Sequence, residues 1–129
     1  MIVGDLRSVL IVDDHAAFRA FARLLLGADG WDVVGEAADG AEAITATAAL
    51  APDLVLLDIQ LPDRNGIDVA RQLACIPAAP CVVLMSARAP SEYGEVLRTA
   101  AACGFLAKHE LSGGALSALV GGTGQPDRR

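Results

Sequence analysis

The chain has few cysteines, few basic residues and no long hydrophobic run, and each shortage removes a class of function. Its 3 cysteines, Cys75, Cys81 and Cys103, are odd in number and show no CxxC spacing. That pattern argues against a disulfide-stapled scaffold and against a zinc site, so the three read as buried small hydrophobes. Lysine and arginine total 10 against 16 acidic residues, a net charge of −6. An acidic chain repels nucleic-acid phosphate and anionic lipid, so neither direct nucleic-acid binding nor membrane binding is expected. No stretch of about 18 uncharged apolar residues exists, because Asp5, Arg7, Asp13 and Asp14 interrupt the N-terminal segment. Neither a spanning helix nor a signal peptide is read, and the expected location is the cytoplasm. Internal repeats and low-complexity tracts are also missing. With 129 residues, 53% of them hydrophobic, the chain is long enough for one domain with a core and too short for two.

What is there is a set of short aliphatic segments that each run into a reactive side chain. Residues 9–12 lead to Asp13 and Asp14, residues 54–57 to Asp58, residues 82–85 to Ser86 and residues 105–107 to Lys108. Segments of this length and composition, separated by helical periodicity, read as buried parallel strands joined by crossover helices. A further strand is read at 31–36, so five βα units in a row predict an α/β fold with a doubly wound five-stranded parallel sheet. In open sheets of this kind ligands bind outside the carboxyl ends of the strands. The three carboxylates, the hydroxyl and the ammonium are therefore expected in one pocket.

The intervening stretches predict the helices. Phe18, Phe21, Ala22, Leu25 and Leu26 fall at i, i+3, i+4, i+7 and i+8 and mark the core stripe of a first helix, which Gly27 or Gly30 ends. Asp39 with Glu42 makes a capping-box-like start for a second helix through Leu50, closed off by Pro52. Residues 61–66 carry turn chemistry, after which Ile67, Ala70, Leu73 and Ala74 mark the inner face of a third helix. Ser91 is read as the N-cap of a fourth helix with Tyr93, Val96, Leu97, Ala100 and Ala101 as its stripe, and a fifth is read at 112–120. The domain is expected to span 1–120, with 121–129 a tail or truncated linker.

Two carboxylates about 4 Å apart repel by roughly 4 kcal/mol at an effective dielectric near 20, so three in one crevice need a cation. Oxygen ligands in a site that leaves room for water and phosphate suit Mg²⁺. With Asp58 between that ion and Lys108, its carboxylate can attack a phosphoryl group in line while the two cations neutralise the equatorial oxygens. Ser86 offers one hydroxyl to a phosphoryl oxygen, a contact that exists only after transfer. Gln60 and Arg88, each two positions beyond a pocket residue, are expected to overhang the acyl phosphate and tune its lifetime.

At these residues the chain resembles the receiver domain of two-component response regulators, from Ser8 to about residue 120. The acidic pair, the acceptor Asp, the Ser or Thr and the Lys of that family are matched in order by Asp13-Asp14, Asp58, Ser86 and Lys108. The runs VDDHAAFR, VVGEAADG, LVLLDIQLPDRNGID and GFLAK are similar to receivers often coupled to helix-turn-helix output domains. The resemblance implies a flavodoxin-like (βα)5 sheet of order 2-1-3-4-5. It also implies that Asp14, Asp58 and the backbone carbonyl of Gln60 ligate Mg²⁺ directly, Asp13 through water, and that Phe105 sits at the switch-aromatic position.

The implied function is Mg²⁺-dependent acceptance of a phosphoryl group on Asp58 from a sensor histidine kinase or phosphotransfer protein. The chain would be a signalling module that catalyses its own phosphorylation and dephosphorylation, with no other enzymatic activity. His109 follows Lys108 where many receivers have proline, so no cis peptide is expected there. Few residues follow Lys108, so the expectation is a stand-alone or excised receiver acting on a downstream protein target or a missing output domain. As a free domain it is expected to be a monomer or a weak phosphorylation-dependent dimer.

Several residues invite other readings. His15 follows the acidic pair but reads as a first-turn polar residue or helix cap rather than a phosphoryl relay or metal ligand. His109 reads as solvent-facing, and Asp53 and Asp63 as turn residues without chemistry. A phosphatase of the haloacid dehalogenase kind would carry DxDx(T/V) after the first strand, and DDHAA lacks its second Asp. A degenerate receiver acting only as a binding module typically loses an acidic residue or the lysine, and this chain keeps all of them.

Overall fold

The computed structural model describes residues 8–87 and 101–124, the last five as backbone only. Five parallel strands form one sheet: β1 (Ser8–Val12), β2 (Asp32–Ala37), β3 (Leu54–Asp58), β4 (Cys81–Ser86) and β5 (Gly104–Ala107), in the order β2-β1-β3-β4-β5. The central strands are apolar without alternation because helices cover both faces: residues 9–12, 54–57 and 82–85 are each at most 2% exposed. Their side chains nonetheless sort by the two-residue period of a strand. Val9, Ile11, Leu54, Leu56, Val83 and Met85 share one core with Ala22 and Leu26 of helix α1 (Ala16–Ala28) and Leu116 of the C-terminal helix (Gly113–Gly124). Leu10, Val12, Val55, Leu57, Val82 and Leu84 share the other with Ala43 of α2 (Gly40–Leu50) and with Ile67, Val69, Ala70 and Leu73 of α3 (Gly66–Ala74).

Local chemistry sets the helix ends. The chain leaves α1 through Gly30 at φ 91, with Gly30 N–H bonded to Gly27 O and Trp31 N–H to Leu26 O, and Trp31 packs into the same core as Leu26. Asp39 caps α2 by accepting the N–H of Glu42, whose carboxylate accepts the N–H of Ala38, one residue before the N-cap, so the start is capping-box-like without being a true capping box. Asp63, in the loop after β3, reaches across to accept the N–H groups of Gly40 and Ala41. Asp53 accepts the N–H and hydroxyl of Ser8 at the opposite end of the sheet from the strand-end acids.

Several details depart from the sequence reading. Phe21 is 54% exposed, because small Ala22 and Leu26 take the contacts with the sheet. Ala74 is exposed, whereas Val69 is buried because α3 packs on α2 as well as on the sheet. The C-terminal helix continues to Gly124, beyond the boundary expected at 120. Cys81 and Cys103 are joined in a disulfide across β4 and the entry to β5, with Cα atoms 5.8 Å apart, and Cys75 is exposed. Adjacent parallel strands bring the two cysteines together across 22 positions, a pairing that local spacing does not encode. Arg88 and the helix expected from Ser91 lie outside the described residues.

Candidate functional site

Because the strands are parallel and in near register, their carboxyl ends open on one side of the sheet. Asp13 follows β1 directly, its N–H still bonded to Ala37 O of β2, and its side chain is fully buried. Asp14 comes next and is the more open of the pair, at 35% exposure. Asp58 ends β3 at 3% exposure, and fully buried Ser86 ends β4 beside Ala107 of β5. Lys108, the only lysine in the chain, opens the 3-10 turn Lys108–Glu110 after β5. A cavity of about 290 Å³ is lined by Asp14, His15, Asp58, Gln60, Ala87 and Lys108, among others.

Lys108 organises the charge. Its Nζ lies 2.5 Å from Asp13 Oδ2 and 3.1 Å from Asp58 Oδ2, and 4.7 Å from the centre of the Phe18 ring. The other Asp58 oxygen accepts the Gln60 N–H at 3.0 Å. Burial pushes the Asp58 carboxyl above its ordinary value and the Asp13 charge adds to this, outweighing the Gln60 N–H and Lys108. For Lys108, burial alone would favour the neutral amine, but its bonds to Asp13 and Asp58 win and hold it above the ordinary lysine value.

The loop after β3 is shaped to leave Asp58 accessible. A bridge between Gln60 and Asn65 closes it, and Asn65 caps α3 by accepting the Ile67 N–H at 2.7 Å. Gly66 packs directly on the strand end: a Cβ there would collide with Asp58 O and come within 2.8 Å of Ile59 Cα. Only glycine fits without moving the acceptor.

Of the residues expected at the strand ends, Asp14, Asp58 and Lys108 line the cavity, Asp13 meets them through Lys108, and Ser86 lies at the neighbouring strand end; two others, His15 and Arg19, join them from α1. His15 is the N-cap of α1 but makes no side-chain capping bond. Its Nδ1 lies 3.1 Å from Oδ1 of both Asp13 and Asp14. Arg19 donates to Asp13 O at 2.7 Å and to Glu36 at 2.9 Å, and Arg23 bonds the same carboxylate at 2.7 Å. Arg23 above all holds Glu36 below the usual carboxylate range; burial opposes it, and the bond from Arg19 adds to the lowering. The run VDDHAAFR contained both His15 and Arg19, but periodicity marks only the apolar face of a helix and does not show that a polar residue turns back over the strand end. Phe105 is half-buried on the α2 and α3 face, and His109 is exposed as expected.

Asp13, Asp14, His15 and Asp58 each offer a ligand atom within 4.8 Å of one another. Three carboxylates against one ammonium leave a formal charge of −3 + 1 = −2, and the donors are mainly hard oxygens. Both features fit a divalent cation such as Mg²⁺.

A doubly wound parallel sheet with this acidic strand-end pocket defines the class of CheY-like, flavodoxin-like receiver folds. The family model described as the response regulator receiver domain matches residues 9–119, and the chain belongs to that family, which serves two-component systems. It is 40% identical over 102 residues to the transcriptional regulatory protein PdtaR of Mycobacterium tuberculosis, covering 79% of this chain and 49% of that protein. The chain thus spans about half the length of the first curated relatives it matches. Among solved structures, the signal receiver domain of a modulated diguanylate cyclase from Desulfovibrio desulfuricans G20 superposes with a TM-score of 0.78 at 28% identity, covering 92% of this chain and 94% of that one. A LuxR-family two-component response regulator from Aurantimonas superposes with a TM-score of 0.77 at 28% identity, covering 91% and 87%. Among the described residues, no helix is long and apolar enough to cross a membrane.

Proposed function

We propose that this receiver accepts a phosphoryl group on Asp58 from the phosphohistidine of a sensor histidine kinase or phosphotransfer protein, in a Mg²⁺-dependent reaction, and passes the signal to a protein target or output domain. One observation carries the assignment. Asp58 lines the cavity and also lies within ion-pair reach of Lys108, whereas Asp13 is fully buried and does not line the cavity, and Asp14 lines it but pairs with His15 and not, among the described residues, with the lysine. In the transfer an Asp58 oxygen attacks phosphorus, a P–O bond forms as the P–N bond breaks, and the imidazole leaves.

Asp14, Asp58 and the Gln60 carbonyl would hold Mg²⁺ directly, and Asp13 through water. When bound, the ion supplies positive charge to the phosphoryl oxygens. Lys108 supplies the second positive charge, held in place by Asp13. Ser86 then donates its hydroxyl to a phosphoryl oxygen, and the strain of forming that contact is relayed along β4 and β5 to Phe105 as the switch. Gln60 and Arg88 govern the approach of the water that hydrolyses the acyl phosphate. We place the domain at residues 1–124, extending the expected boundary to the end of the C-terminal helix, and its work in the cytoplasm.

The test is incubation with a small phosphoryl donor and Mg²⁺, followed by intact mass and peptide mapping. A single phosphorylation on Asp58, lost on chelation of the ion, is the expected result. Modification at another residue, or rapid multiple turnover of the donor, would overturn the assignment.

A further inference from the structure

We propose that His15 is a fourth ligand in the acidic pocket and makes it a mixed nitrogen and oxygen site, one that selects Mn²⁺, Co²⁺ or Ni²⁺ over Mg²⁺ more strongly than its carboxylates alone would. The inference rests on the reading of the pocket as a cation site. His15 occupies the N-cap of α1, where a side chain ordinarily accepts an N–H of the first turn, yet its ring makes no such bond. The imidazole turns back over the strand end, and Nδ1 is equidistant from Asp13 Oδ1 and Asp14 Oδ1, at 3.1 Å.

That spacing suits shared coordination. Neighbouring ligands around a six-coordinate ion with bonds of about 2.1 Å lie roughly 3.0 Å apart, close to the 3.1 Å between Nδ1 and the direct ligand Asp14 Oδ1. The ring reaches this position from a fixed base. The His15 N–H is bonded to Asp13 Oδ1 at 2.8 Å, and its carbonyl accepts the Arg19 N–H at 3.1 Å. The same Arg19 clamps the Asp13 carbonyl. The ring is 70% exposed on the side lining the cavity with Asp14 and Asp58, so binding an ion there requires no rearrangement of the core. Carboxylates suit Mg²⁺ and Mn²⁺, whereas an imidazole adds preference for the later divalent metals. His109, the other histidine, lies on the turn after β5 and is not part of the cluster.

The test pairs calorimetry with pulsed electron paramagnetic resonance on the whole chain. Mg²⁺, Mn²⁺ and Ni²⁺ are titrated separately into wild type, His15→Ala and Asp14→Ala, each checked for fold by circular dichroism. In His15→Ala the ratio of Ni²⁺ to Mg²⁺ affinity is expected to fall by about tenfold or more, while Asp14→Ala weakens every ion. Mn²⁺-loaded wild type should show the ¹⁴N modulation of a coordinated imidazole, and His15→Ala should lack it. Mn²⁺ bound without ¹⁴N modulation, or modulation that persists in His15→Ala, would overturn the role of His15 and leave the cation site standing. Failure of wild type to bind any of the three ions would overturn the cation site itself.

Discussion

Replacing Lys108 by methionine keeps the length of the side chain and removes the single positive charge between two buried carboxylates. At separations of 2.5 Å and 3.1 Å, the gross attractions are about 7 and 5 kcal/mol at an effective dielectric near 20. Dehydration of an ammonium that is only 17% exposed cancels much of this. The balance still favours the charge, since Lys108 is held above its ordinary value despite its burial. Breaking a buried pair by removing one partner costs about 3–5 kcal/mol, and the loss here should fall at the lower end, because Asp58 is already biased toward taking up a proton.

The assay is urea unfolding in the presence of a chelator, comparing wild type, Lys108→Met and Lys108→Met with Asp13→Asn. The single variant should lose about 2–4 kcal/mol and the double variant should recover part of it. Millimolar Mg²⁺ should narrow the gap, because the ion replaces the missing charge. A pH series supplies the sign. A lysine raised in the folded state contributes stability that is complete below its unfolded value, near 10.5, and is lost as pH climbs through the folded value. Wild type should therefore shed this contribution only in the strongly alkaline range, and Lys108→Met should show no such loss. A deficit under about 1 kcal/mol, or no recovery in the double variant, would refute the claim that Lys108 neutralises both acids.

The remaining predictions concern the acceptor and its surroundings. Asp58 is raised in the folded state, so its stabilising contribution is present at acid pH and lost as pH rises through the folded value. Asp58→Asn should accordingly unfold at a higher temperature than wild type near neutrality, with the gain vanishing toward acid pH, and should accept no phosphoryl group; equal melting temperatures at neutral pH would contradict it. Gly66→Ala should cost about 1–3 kcal/mol and slow phosphorylation by shifting the Asp58 backbone, and unchanged unfolding and rate would show that the loop yields freely. Gln60→Ala and Arg88→Ala should each change the rate of dephosphorylation several-fold after donor removal, with Mg²⁺ affinity nearly unchanged; rates equal to wild type in both would remove their role.

The sequence by itself determined the sheet and its strand-end pocket. Residues 9–12, 54–57 and 82–85 are apolar at every position because helices cover both faces of their strands, so the burial pattern is written locally. Once those strands are parallel, Asp13, Asp14, Asp58, Ser86 and Lys108 must gather at one side, and they do. What tertiary structure decided was every pairing between elements. Helical period put Phe21 on the core stripe and could not see that Ala22 and Leu26 already fill the space against the sheet. Val69 is buried by α2, and Asp63 caps α2 from the loop after β3, because of where one helix rests beside another. Cys81 and Cys103 meet only through the register of adjacent strands. His15 and Arg19 turn toward Asp13 because α1 starts directly over the strand end, a placement that depends on how the helix packs and not on the spacing of its residues. Periodicity reports which face of an element is dry, while the partner a polar side chain finds depends on elements far away in sequence.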